Sequence, residues 1–497
     1  MRSTFSGIEI SKRSLYSHQT ALTTTAHNMA NVNTKGYSRQ VVDLTASRPM
    51  EAIGMMRSNM PGQIGTGVEF ESIRRLREGF LDHQYQNEYT NLNEWLVRQD
   101  TLEKIELFMA EPSDTGIRQV MDNFWNSWHQ LSEYPDNLET RAVVKESALA
   151  MTDAFNHLSK QLADFRADLT ENIQVVTTQG NTLVGQLAQL NQEIYRIEGL
   201  GNNANDLRDQ RDLLMDELSG LVNISYTEQA DGYEVRMGET VLVTGGTATD
   251  FTEELVTASA ESGDLNGGKL AGLIYSRDEL VTQYDTQLEA LVKTMADAVN
   301  DLHQQGYTLN EPAELGGAFF TYDADNPTGT ISVAADIQEN VLHIAASTRT
   351  YIDADGVEQV VRGNNELALE MAALKNNPFD FFVRDEETDG ENEDGEDGSS
   401  DETREVILNN GTFDEFFRAV IGELGVQTSE AGRRVANQHV LVDQIDIRRQ
   451  SVSGVSLDEE MSNMIKFQHG YNAAARAMTT FDELLDRVIN GMGIVGR

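Results

Sequence analysis

Apolar positions recur along this chain in two rhythms. Near the N-terminus Ile8, Leu15, Leu22 and Met29 return every seven residues within a proline-free stretch, 3–31. The spacing predicts one helix with an apolar stripe a single residue wide. Such a stripe cannot fill a globular core, but it suits a helix laid against another helix. The helix is expected to end where Asn31, Asn33 and Gly36 offer left-handed conformations, and to turn outward there, with Tyr37 and Arg39 packing or hydrogen-bonding at the corner. Near the C-terminus, residues 427–490 are again free of proline. Within and just beyond them Leu457, Met461, Met464, Gln468, Tyr471, Ala475, Met478, Asp482, Leu485, Ile489 and Met492 follow alternating four- and three-residue steps. That is a coiled-coil seam, spanning roughly 50 Å at the helical rise of about 1.5 Å per residue.

Between these ends the helical period returns over 77–109, 115–131, 139–197, 204–219, 270–303, 365–375 and 413–424. The 139–197 stretch is very long, and a Gly-Asn turn joins it to 204–219 as a helical hairpin. Period-two alternation marks a small antiparallel β element within 221–250, through Ile224, Tyr226, Tyr233, Val235, Met237, Val241 and Val243. Residues 37–44 and 68–73 read as short extended pieces, 49–67 as loop, and 306–362 as short strands and loops. The predicted class is mainly α with smaller β regions (α+β): terminal helices pairing as a coiled coil, a long helical rod-like domain and an outer β-containing domain. The expected order is an axial helix and connecting segment (1–75), a long helical domain with its β element at 221–256 (76–305), an outer region (306–410), then return helices and a second axial helix (411–497).

Charge changes this picture. The 497 residues carry a net charge of −43. Residues 1–40 hold five basic side chains against Glu9 alone, and residues 451–497 hold four basic against six acidic. The acidity therefore belongs to the middle, and the ends face a different environment from it. So acidic a chain is not expected to bind nucleic acid, which requires neutralising phosphate. No apolar run approaches the ~18 residues of a membrane span, and no apolar leader stands at the N-terminus, so neither membrane insertion nor a cleaved signal peptide is expected. The absence of cysteine excludes disulfides, thiolate nucleophiles and cysteine-held metals or clusters.

Candidate chemistry is sparse. Gly263 and Gly268–Lys269 match a phosphate-loop spacing, but Leu270 stands where a Ser or Thr should hold magnesium. Gly491, Gly493 and Gly496 match a dinucleotide spacing with no helix after them. The nine histidines are scattered, and no nucleophile motif occurs. Residues 384–405 contain twelve Asp or Glu; calcium is the sharp hypothesis, yet the EF-hand register fails and a solvated loop is the expectation. No catalytic residue, cofactor or metal site is expected.

Residues 30–40, Ala-Asn-Val-Asn-Thr-Lys-Gly-Tyr-Ser-Arg-Gln, follow a helix from the N-terminus and resemble the N-terminal motif of bacterial flagellar axial proteins. Within that superfamily residues 1–47, the block Gly-Asn-Asn-Ala-Asn-Asp-Leu-Arg-Asp-Gln-Arg-Asp-Leu-Leu at 201–214, the block Gly-Lys-Leu-Ala-Gly-Leu-Ile at 268–274, Asn364–Asn365 and residues 451–490 are similar to the hook-associated protein 1 family. The resemblance implies a structural subunit of the hook–filament junction. It implies type III export without a cleaved signal peptide, a ring of identical subunits, and as partners the hook protein, hook-associated protein 3 and an export chaperone on the C-terminal helix. Assembly contacts would then fall on Ile8, Leu15, Leu22, Met29, Asn31, Asn33, Gly36, Tyr37 and Arg39, and on Leu457, Met461, Met464, Tyr471, Met478, Leu485 and Ile489. Other readings are a hook or distal rod subunit, or a secreted adhesin or effector with coiled-coil ends.

Overall fold

The computed structural model describes residues 5–48, 65–109, 116–382 and 406–491. The acidic tract at 384–405, and with it the calcium question, lies outside the described residues, as do Met492 and most of the 49–67 loop.

Helix α1 (Ser6–Ala30) closes where the Asn31 N–H bonds the His27 and Asn28 carbonyls. Gly36 then takes a φ of +79°, a left-handed turn that a glycine adopts without strain. Strands β1 (Gln40–Ala46) and β2 (Val68–Arg75) pair antiparallel, with a bulge at Asp43–Leu44. Helices α2 (Gly79–Met109), α3 (Ile117–Glu133) and α4 (Leu138–Glu198) follow. The 61 residues of α4 contain no proline to stop them. A turn at Gly199–Gly201 leads into α5 (Asn205–Leu221).

Strands β3 (Ser225–Gln229), β4 (Gly232–Met237), β5 (Thr240–Thr244) and β6 (Thr247–Ala248) form one antiparallel sheet in chain order. Tyr233, Val235 and Met237 bury one face of β4, as the alternation predicts. Buried Asn191 of α4 fastens this sheet. Its Nδ2 donates to the carbonyls of Tyr233 (3.0 Å) and Gly245 (2.9 Å), and its Oδ1 accepts from the Tyr233 N–H and from Arg211. Asn191→Ala orphans these buried groups and is expected to cost about 2–4 kcal/mol. Urea unfolding checks this; an unchanged midpoint would refute the role.

Helix α6 (Glu253–Ser262) starts on Thr252, whose side chain accepts the Leu255 N–H, and ends at Gly263 with φ +82°. Residues 270–303, expected as one helix, fall in α7 (Gly268–Tyr275), a π turn at Ser276–Leu280 and α8 (Val281–His303). Hydrophobic spacing hides the π turn because Leu273, Leu280 and Leu288 remain buried through it. The region that follows holds short elements, as expected: β7 (Phe320–Thr321), α9 (Pro327–Thr330), β8 (Ser332–Val333), α10 (Ala335–Glu339), β9 (Thr350–Ile352), β10 (Glu358–Val360), α11 (Glu366–Ala373), β11 (Phe379–Phe382) and β12 (Val406–Gly411).

Thr412 and Glu415 then form a reciprocal capping box: Thr412 Oγ1 accepts the Glu415 N–H, and Glu415 Oε2 accepts the Thr412 N–H. Helix α12 (Phe413–Ser453) runs on from it, and α13 (Leu457–Gly491) follows after a break. The helical period read over 413–424 thus extends to Ser453, and the break falls at Gly454, just before the first seam residue, Leu457. The break has a tertiary cause. The Ser453 carbonyl, at the end of α12, accepts the N–H of Arg39 at 2.8 Å.

Contacts divide the chain into two compact units. Unit 1 comprises Met1–Asn93, Val176–Leu270 and Asn437–Arg497; unit 2 comprises Glu94–Val175 and Ala271–Ala436. Unit 2 has an aromatic core in which the Phe124 and Phe319 rings each lie 4.8–6.3 Å from the other and from the Trp128 and Phe320 rings. Among the described residues, no helix is long and apolar enough to cross a membrane.

Candidate functional site

Both terminal helices belong to unit 1, and α1 lies antiparallel along α13. Three contacts fix the register: Gly7 against the Phe481 ring, His18 against Gly470, and Asn28 bonded to Glu460. Their residue numbers share one sum, 488, so the register holds over the length of α1. The α1 face turned inward is made of small and polar residues, with Gly7, Ser11, Ala21, Thr25 and Asn28 buried. On α13, Glu460, Ala474 and Leu485 are buried.

This seam is displaced by one residue, about 100° of helix rotation, from the apolar stripes that the sequence marks. Ile8, Leu15, Leu22 and Met29 are only half-buried. On α13, Met464 and Met478 are half-buried and Leu485 buried, whereas Leu457 (47% exposed), Met461 (52%), Tyr471 and Ile489 (66%) face outward. The physical reason is distance. Gly7 and Gly470 present no Cβ, which would meet ring atoms at 2.5–2.6 Å, so the backbones approach along the small residues. The bulky stripe is left on the flank.

The corner after α1 is built on Asn28, which is 1% exposed. Its Oδ1 accepts from the Gln40 N–H (3.0 Å) and the Tyr37 hydroxyl (2.8 Å). Its Nδ2 donates to the Gln40 carbonyl (2.8 Å) and to Glu460 Oε2 (3.1 Å). One amide thus joins α1, the 37–40 segment and α13. Arg39 extends the joint through Nε to Glu460 (2.7 Å) and a second guanidinium nitrogen to Glu459 (2.6 Å). Asn31 bonds back to the His27 carbonyl, Gly36 turns against Leu213, and exposed Asn33 lines an open cleft of about 600 Å³ beside Arg77 and Arg449.

Beneath the corner, α5 presents four aspartates at 206, 209, 212 and 216, a spacing that keeps them on one side of the helix. Asp206 accepts from Gln40 Nε2 (2.6 Å) and Asp209 from the Ser38 N–H (2.9 Å). Arg75 bridges Asp209 and Asp212, Arg77 clamps Asp82 through two nitrogens, and Arg449 reaches Asp216 at 2.6 Å while stacking on Tyr85. Burial pushes the Asp209 and Asp216 carboxyls above their usual range, against the pull of Arg75 and of Arg449 with Arg77. Burial pulls Arg77 down, but Asp212, Asp82 and Asp216 outweigh it and hold the guanidinium charged. Burial, then Asp206, Asp209 and Glu460, raises the Tyr37 phenol, which stays a donor. The joint is a packed ion network. Among the described residues no group of His, Asp or Glu is arranged to hold a metal.

Asn28, Glu460, Arg75, Arg77, Arg449 and the aspartate row are absent from the residues expected on sequence grounds. Only the aspartate row carried a legible signal, four carboxylates on one helix side. Asn28 and Glu460 are single polar residues whose partners lie elsewhere in the chain. The phosphate-loop look-alike dissolves here too: Gly263 is the left-handed C-cap of α6, and Gly268 packs on the Leu221 backbone.

A model described as the flagellar hook-associated protein FlgK helical domain matches residues 102–320, and one described as the flagellar basal body rod FlgEFG protein C-terminal matches 449–491. The second match covers the end of α12 and all of α13. Flagellar hook-associated protein 1 of Bacillus subtilis (strain 168) is 32% identical over 523 aligned positions, covering 100% of both chains. The chain belongs to the flagellar hook-associated protein 1 family. Hook-associated protein 1 of Salmonella typhimurium is 26% identical, covering 95% of this chain and 97% of its own. The flagellar hook junction protein FlgK from Burkholderia pseudomallei shares the fold, with a TM-score of 0.60 at 13% identity over 75% of this chain and 100% of its own. The family is a structural one, of the bacterial flagellum.

Proposed function

We propose that this chain is the structural subunit joining the flagellar hook to the filament, assembled through its terminal helices. The observation that carries this reading is the end-to-end relation to hook-associated protein 1, together with an α1–α13 pair that leaves a bulky apolar flank outside its own seam. Copies of the chain form a ring in which Ile8, Leu15, Leu22 and Met29, and Leu457, Met461, Tyr471 and Ile489, gain burial against neighbours. Asn31, Asn33, Gly36, Tyr37 and Arg39 set the corner from which the rest of the chain departs, and Met464, Met478 and Leu485 pack between seam and flank. The hook protein and hook-associated protein 3 are the axial partners. An export chaperone covers α13 before type III export, which a chain without disulfides can pass unfolded.

Deleting the gene in its own host tests this. The strain is expected to build hooks and shed filament subunits into the medium, with filaments restored by the intact gene. Antibody against the chain should mark one narrow band between hook and filament. A strain without hooks would favour a hook or rod subunit instead.

A further inference from the structure

In unit 2 the segment 344–346 is irregular backbone with no exposure to speak of: Ile344, Ala345 and Ala346 are all buried. Buried backbone groups need partners, and here two come from side chains. The Ile344 carbonyl accepts from Arg141 of α4, and the Ala345 N–H donates to His303 Nε2 at 2.8 Å. The same imidazole donates through Nδ1 to the Gly317 carbonyl at 2.7 Å. A carbonyl can only accept and a backbone N–H can only donate, so one neutral tautomer satisfies both bonds. His303 has no exposed surface, and the Phe319 ring stands edge-on at 5.3 Å.

We propose that His303 is an acid-released latch: its neutral ring holds the 344–346 segment in unit 2, and its protonation lets that segment go. A proton on Nε2 would face the Ala345 N–H, donor against donor, in a place closed to bulk solvent. The charged group bearing on the ring is the Arg141 guanidinium, like in sign, with Asp136 beside Arg141. From the 314–319 segment Gly316, the Gly317 carbonyl and the Phe319 ring meet the imidazole, and from 344–346 the Ala345 N–H does. Burial lowers the imidazole to about 4 from 6.5, against the upward pull of the Gly317 bond and with a smaller push from Arg141. A histidine depressed by folding favours the closed state above 6.5 and loses that advantage as pH falls toward 4. The Ala346 N–H of the segment bonds the Tyr307 carbonyl, and on either side of it the Ser347 and Leu342 carbonyls accept the Tyr307 and Leu309 N–H groups, so release loosens both stretches.

Hydrogen exchange on the full chain tests the latch, with rates corrected for intrinsic pH dependence. Between pH 7 and pH 4 the opening constant read at the Ala345 and Tyr307 amides should rise on the order of 100-fold in the wild type. In His303→Gln it should stay nearly flat, because the glutamine amide can make both bonds and does not titrate. An equal rise in both proteins, or in neither, overturns the proposal. Imidazole nitrogen shifts of the labelled wild type decide independently of how the variant folds. Protonation near 6.5 with Ala345 still protected would overturn the latch, whereas protonation near 4 together with loss of protection supports it.

Discussion

Asn28→Asp is expected to unseat α1 from α13 and abolish filament attachment. The substitution keeps the shape and replaces the Nδ2 donor by an anionic oxygen. That oxygen then faces the Gln40 carbonyl and Glu460, which is 2% exposed. Two buried hydrogen bonds are lost, and a second carboxylate is set within about 3 Å of the first, which Arg39 already serves. Breaking a buried charged network costs about 3–5 kcal/mol. Thermal unfolding of unit 1 should fall accordingly, and swimming motility should be lost in a strain carrying the variant. Asn33→Asp is the control. It adds the same charge at an exposed residue of the same corner, so its stability should change by under about 0.5 kcal/mol. Equal melting for the two variants would remove Asn28 from its place as the hub.

Gly268→Ala is the second large effect. Gly268 has a φ of +89°, and a Cβ there would meet the Leu221 carbonyl oxygen at 2.6 Å and the Val222 nitrogen at 2.7 Å. Backbone cannot rotate away as a side chain can, so the start of α7 must shift off α5. A loss of about 3 kcal/mol or more is expected, combining the left-handed conformation with the overlap. Gly263→Ala separates the two contributions. Its φ is +82°, but nothing lies within 4 Å, so only the conformational part, about 1 kcal/mol, should appear. Denaturant midpoints of the pair check this. If Gly263→Ala costs as much as Gly268→Ala, the close contact with Leu221 carries no weight.

How far the fold was legible varies with the kind of signal. The 61-residue α4, the β element around Tyr233, Val235 and Met237, and the end of α1 near Asn31 follow from period, alternation and turn chemistry. The break at Gly454 was not legible. Nothing in 427–490 forbids a continuous helix, and it stops where Arg39, 414 positions earlier, takes the Ser453 carbonyl. The π turn at Ser276–Leu280 escaped because it leaves the buried positions buried.

The candidate joint divides in the same way. Sequence alone determined that both ends are helices with heptad apolar stripes, that the acidity lies between them, and that the chain carries no cysteine. Those are properties of composition and local period. Tertiary structure alone decided which face of each helix meets the other. Close approach favours the side without bulk, so Gly7 and Gly470 set the seam and the apolar stripes fell one residue outside it. It also decided that Asn28 and Glu460, 432 positions apart, share one bond. A lone Asn in a polar helix carries no periodic mark, and its importance comes from burial among partners that only the folded chain brings together.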